Sequence, residues 1–148
     1  PADLIISEST YGGRSHPGIE MLAEELLAVI QRTVERGGKL MIPAFSMGRT
    51  QTILFHLHQL IDTGKLRPLP IYVDSPLSAA ATEVFRLHPE CFDEETSMLL
   101  YRERDLFGER LVHFTRTVEE SKAINQVSIP CIIIAASGMC ETGRIVHH

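Results

Sequence analysis

Pro130-Cys-Ile-Ile-Ile-Ala-Ala136 runs directly into Ser137-Gly138 and then into Glu141-Thr-Gly-Arg144. Consecutive β-branched residues with no polar alternation mark a strand covered on both faces, as in parallel sheets. The glycine-bearing turns behind it put polar groups where open α/β sheets take their ligands, at the C-terminal ends of the strands.

Working outward, similar apolar runs occur at Leu4-Ile-Ile, Lys39-Leu-Met-Ile-Pro-Ala-Phe45, Pro70-Ile-Tyr-Val-Asp74 and Leu111-Val-His-Phe114. Between them the spacing predicts helices. Ile19, Leu22, Ala23, Leu26, Leu27, Val29 and Ile30 repeat at helical period over 17–36, and Gly37-Gly38 supplies a stop. Further helices are expected from Ser46–Thr50 through Ile61, from about Leu77 to Leu87 before His88-Pro89, and, more loosely amphipathic, from Cys91 to Phe107. Thr117-Val-Glu-Glu120 has the spacing of a capping box, and Ile145-Val-His-His148 reads as the first turn of another helix. The alternation predicts an α/β, three-layer αβα domain, with a mainly parallel sheet of about five strands and helices on both faces. With right-handed crossovers, the loops 8–16, 45–50, 74–78 and 137–144 gather at one edge.

At 148 residues, 44% of them hydrophobic and 22% charged, the chain is long enough to bury one core without disulfides. A net charge of −5 argues against a generally basic nucleic-acid surface and confines any such site to a local groove. Three cysteines without CxxC spacing suggest neither a disulfide framework nor a zinc ribbon, and point to a reducing, cytoplasmic setting. No apolar run approaches the length of a membrane span.

Several residues carry candidate chemistry. Glu8, at the end of the Leu4-Ile-Ile run, is an acid at a strand terminus, with Tyr11, Arg14 and His16 in the turn behind it. His16 either joins a polar network with Glu8 or covers the turn. Ser137, Gly138 and Arg144 either present backbone N–H groups and a guanidinium to a phosphate or simply build the turn. Arg49, near a helix N-terminus, offers a cation to an oxyanion, although Gly48-Arg49-Thr50 lacks the first glycine and the lysine of a P-loop. Asp74 either orients a base or caps the next helix, capping being the commoner fate of Asp-Ser-Pro. His56 and His58 fall on different helix faces and cannot chelate one metal, and no metal ligand is assigned to the adjacent pair His147-His148.

Glu8-Ser-Thr-Tyr-Gly12, Ile42-Pro-Ala-Phe-Ser-Met-Gly-Arg-Thr50, Ile71-Tyr-Val-Asp-Ser-Pro76 and Ile134-Ala-Ala-Ser-Gly-Met-Cys-Glu-Thr-Gly-Arg144 together resemble, in order and spacing, the β-CASP nucleases. These are metallo-β-lactamase-fold enzymes that include the mRNA 3′-end cleavage endonucleases and bacterial and archaeal RNA-processing relatives. The resemblance implies that Glu8 is the family's motif A acid, exchanging a proton with or orienting a histidine beside the scissile phosphate. It also implies two zinc ions in the full-length enzyme. Their His-x-His-x-Asp-His ligands are expected upstream of this chain and the motif B histidine downstream, so His147 and His148 are not motif B. The chain is then expected to be a C-terminally incomplete β-CASP fragment with no cofactor of its own, inactive alone, and partnered by the metallo-β-lactamase domain of the same polypeptide. Single-stranded RNA is the implied partner, with Tyr11, Arg14, Arg49, Ser137, Gly138 and Arg144 lining one wall of its groove. No membrane partner is expected, while an unpaired sheet edge would favour homo-oligomers. A non-catalytic phosphoester-binding module and a protein assembly domain stand as the alternatives.

Overall fold

A computed structural model describes residues 2–15, 18, 21–94, 96–98, 107 and 110–148. In chain order the elements are α1 (Leu22–Glu35), β1 (Leu40–Pro43), α2 (Arg49–Asp62), β2 (Ile71–Asp74), α3 (Pro76–Leu87), β3 (Val112–Phe114), α4 (Val118–Ile124) and β4 (Ile132–Ala135), with 3-10 turns at Pro89–Cys91 and Arg144–His147. The strands form one parallel sheet of four, in the order β1-β4-β2-β3. Ile132 pairs with Leu40 on one side and Ile71 on the other, so β4 is central.

Alternation along β4 divides the core. Ile132 and Ile134 join Ile71, Val73 and Val112 on the face packed by Ile30 of α1 and by Leu54, Leu57 and Leu60 of α2. Ile133 points to the other face and meets Ile124 of α4, with Cys131 beside them. Helices therefore cover both faces, and the expected three-layer α/β architecture is what forms. No helix among the described residues is long and apolar enough to cross a membrane.

Three expectations are corrected, and two others fall partly outside the described residues. The sheet has four strands among the described residues rather than five, because Leu4-Ile-Ile pairs with no strand: Leu4, Ile5 and Ile6 stand 77%, 80% and 88% exposed. An apolar run states that a segment gains from burial but not against what, and within this chain the sheet closes without it. The first helix begins at Leu22, with part of its expected first turn outside the described residues, as is His16. Most of the helix expected over 91–107 also lies outside them. The turn at 144–147 is 3-10 rather than α. Finally, Asp74 is not a cap. Ser75 takes that role, accepting from the Ser78 N–H at 3.1 Å, with Pro76 opening α3.

Candidate functional site

Parallel strands send the loops after β1, β2, β3 and β4 off the same edge of the sheet. Asp74, the last residue of β2, sits at the middle of that edge with no exposed side-chain surface. A buried carboxylate without partners is costly, and the neighbouring segments supply them. Thr115, just beyond β3, donates its hydroxyl to Oδ1, and Ser121 of α4 donates its own to Oδ2 at 2.5 Å. Arg144 Nη1 reaches Oδ1 at 2.7 Å and His148 Nε2 reaches Oδ2 at 2.8 Å. Burial would raise the carboxyl's pKa. The hydroxyls of Ser121 and Thr115, the His148 ring and the Arg144 guanidinium outweigh it and hold the group below its ordinary value.

The network extends one step further. Asn125 places Oδ1 at 2.7 Å from His148 Nδ1 and donates from Nδ2 to the His147 carbonyl at 2.9 Å, while Arg144 Nη2 donates to the Arg116 carbonyl at 3.3 Å. α4 is held ready for this by its predicted capping box, in which Thr117 Oγ1 accepts from the Glu120 N–H and Glu120 accepts from the Thr117 N–H.

The turn after β4 closes on itself. The Ser137 N–H donates to the Thr142 carbonyl at 3.2 Å, and the Ile145 N–H to the Ala136 carbonyl at 3.0 Å. Gly143 has φ +81°, and a Cβ there would lie 2.6 Å from the Ala136 oxygen, so no other residue fits. Ser137 thus has its backbone donor engaged within the turn. Arg144 has Nη1 and Nη2 engaged within the protein, with a quarter of its side chain still exposed.

Arg49 is the exposed first residue of α2. The loop before it is pinned by Thr50 Oγ1 donating to the Phe45 carbonyl at 2.9 Å, by Gln51 Nε2 donating to the Ser46 carbonyl at 3.3 Å, and by Ser46 and Ser75 hydroxyls 3.2 Å apart. Arg49, Ser137, Gly138 and Arg144 therefore share the C-terminal edge. Glu8, Tyr11 and Arg14 lie on the exposed segment before α1, whose turns are set by local bonds from the Gly12 N–H to the Ser9 carbonyl and from the Arg14 N–H to the Tyr11 carbonyl, 3.0 Å each. The Thr10 N–H donates to Glu8 Oε2 at 2.9 Å, and that bond, with a further one from the Thr10 side chain, lowers the Glu8 pKa.

Sequence reasoning had missed the Asp74 cluster and Phe45. The only trace of the first is polar residues just past β3 and inside α4, at Thr115 and Ser121. The trace of the second is an aromatic placed after a strand-ending Pro-Ala.

A metal centre finds no support among the described residues, where no three His, Cys, Asp or Glu side chains are grouped to hold an ion. The nearest approach, Asp74 with His148, already carries the Arg144 cation.

Comparison with known domains settles the lineage. The Beta-Casp domain profile matches residues 50–148, from the first turn of α2 to the last residue. The chain belongs to the Beta-Casp family. Asp74, Thr115, Ser121, Arg144 and His148 all fall inside the matched Beta-Casp region. Ribonuclease TTHA0252 of Thermus thermophilus is 33% identical over 147 residues, 99% of this chain and 34% of that protein. The RNase J-like protein of Methanocaldococcus jannaschii is 34% identical over 148 residues, covering 99% and 33%, and endoribonuclease ysh1 of Schizosaccharomyces pombe 33% over 143, covering 95% and 18%. The chain thus spans about a third or less of the length of these relatives.

Proposed function

We propose that this Beta-Casp chain forms one wall of the substrate groove of a ribonuclease acting on single-stranded RNA, and that Glu8 supplies a catalytic carboxylate to it. The observation that carries the reading is the joint placement of Arg49, Ser137, Gly138 and Arg144 at one sheet edge in a chain whose relatives bear ribonuclease names. The exposed Arg49 cation and small turn residues along one edge suit a phosphodiester backbone, with Arg144, whose charge is balanced by Asp74, keeping a quarter of its side chain open beside them. An overall charge of −5 confines that attraction to the groove.

Glu8 is exposed and ionised at neutral pH, and the donor at Thr10 lowers its pKa further below the ordinary carboxylate value. An ionised carboxylate on a loop can accept a proton from, or orient, an imidazole brought up by another part of the protein. The described residues group no three ligands fit for zinc, and the two zinc ions that the family resemblance implies would be held by the metallo-β-lactamase domain.

The test is a Glu8→Gln substitution in the full-length protein, with RNA turnover and RNA binding measured side by side. Turnover should fall about 100-fold or more while binding and the melting temperature hold, the scale expected for loss of a proton-transfer group. Unchanged turnover would remove Glu8 from the chemistry.

A further inference from the structure

The loop after β1 presents a phenyl ring to solvent. Ala44, buried, donates its N–H to the Ala135 carbonyl at 3.1 Å and carries the chain off the sheet beside β4. The next residue, Phe45, has its carbonyl held by Thr50 Oγ1 at 2.9 Å, yet its side chain is not folded into the core and is 66% exposed. The ring instead rests on the turn after β4. A methyl group at Gly138 would stand 3.2 Å from Phe45 Cε2, 3.4 Å from Cδ2 and 3.5 Å from Cζ, so a side chain at 138 would crowd the ring and push it a few tenths of an ångström off that backbone.

An aromatic ring seated on backbone and left in water gains little for folding, since most of its apolar surface remains hydrated. What it offers is a preorganised π surface. Exposed Arg49 opens the helix that follows, and exposed Met47 and Met139 occupy the same two loops. An aromatic platform with a cation nearby is the combination that binds single-stranded nucleic acid without reading its sequence: bases stack on the ring while the cation attracts the backbone. Methionines can pack adaptably around whichever base arrives.

We propose that Phe45, seated on Gly138, is a base-stacking platform of the RNA groove, with Arg49 acting on the backbone of the stacked nucleotide. The proposal rests on the ribonuclease reading and adds to it a residue that contacts the base. It predicts affinity for single strands with unpaired bases and little preference among the bases.

The test uses the full-length protein, a single-stranded oligoribonucleotide carrying 2-aminopurine, and the substitutions Phe45→Leu and Phe45→Trp. Leu keeps apolar bulk and removes the ring face, while Trp keeps a stacking surface. The native protein should quench 2-aminopurine on binding. Phe45→Leu should weaken affinity about tenfold or more and relieve the quenching, and Phe45→Trp should stay within about threefold of native. Native affinity and quenching in Phe45→Leu would overturn the proposal. A lowered melting temperature with unchanged RNA affinity would also overturn it, assigning the ring to a protein contact. If the native protein bound no RNA, the ribonuclease reading would fall first and this proposal with it.

Discussion

Asp74 shows how one residue can depend on partners far away in sequence. Its donors lie 41, 47, 70 and 74 residues downstream, and each would be left partly unsatisfied without it. Removing one member of a buried ionic cluster strands the others, which typically costs about 3–5 kcal/mol. Asp74→Asn, close in shape but uncharged, should therefore lower the urea midpoint of unfolding clearly, and an unchanged midpoint would mean that the cluster contributes no stability. The same residue sets a pH dependence. Its folded-state pKa lies below the unfolded value of about 3.9, so the stabilisation is complete above that value and is lost as pH falls through the folded one. Native protein should lose stability on acidification below about pH 4, and the loss should be shallower in Asp74→Asn, in urea titrations run across that range.

Individual elements were legible in the sequence to the extent that their causes are local. β4 announced itself by unbroken β-branched residues, α2 by its apolar period, and α4 by the Thr117-x-x-Glu120 box, which forms as read. The Leu4-Ile-Ile run misled because apolarity specifies burial without specifying a neighbour. Asp74 misled because Asp-Ser-Pro favours a cap at either of its first two residues, and only distant hydroxyls and cations decide that Ser75 takes it. At the site, the grouping of Arg49, Ser137, Gly138 and Arg144 followed from parallel strands, whereas the seating of Phe45 on Gly138 depends on sub-ångström clearance that no sequence pattern encodes. The turn after β4 gives the sharpest test at this scale. Gly143→Ala would force a Cβ against the Ala136 oxygen at positive φ and should destabilise by about 2 kcal/mol or more, read from denaturant unfolding. Stability equal to native would show that this turn can be rebuilt without its glycine.

Across the whole molecule the sheet order has a consequence in time. Among the described strands β4 comes latest in sequence and lies between β1 and β2, so β1 has no partner in the sheet until residues 132–135 exist, and before then β2 can pair only with β3. The cluster that locks the edge is later still, because Arg144 and His148 close it. During synthesis β1, with its apolar helices, therefore stays unfinished until β4 emerges, exposed to self-association or to chaperones. Protease protection of arrested nascent chains should stay low when only residues up to 129 have emerged and rise once 148 has cleared the exit tunnel. Early protection would mean that β2 and β3 with their helices form a stable body of their own. Synthesis slowed before Pro130 would lengthen the vulnerable interval.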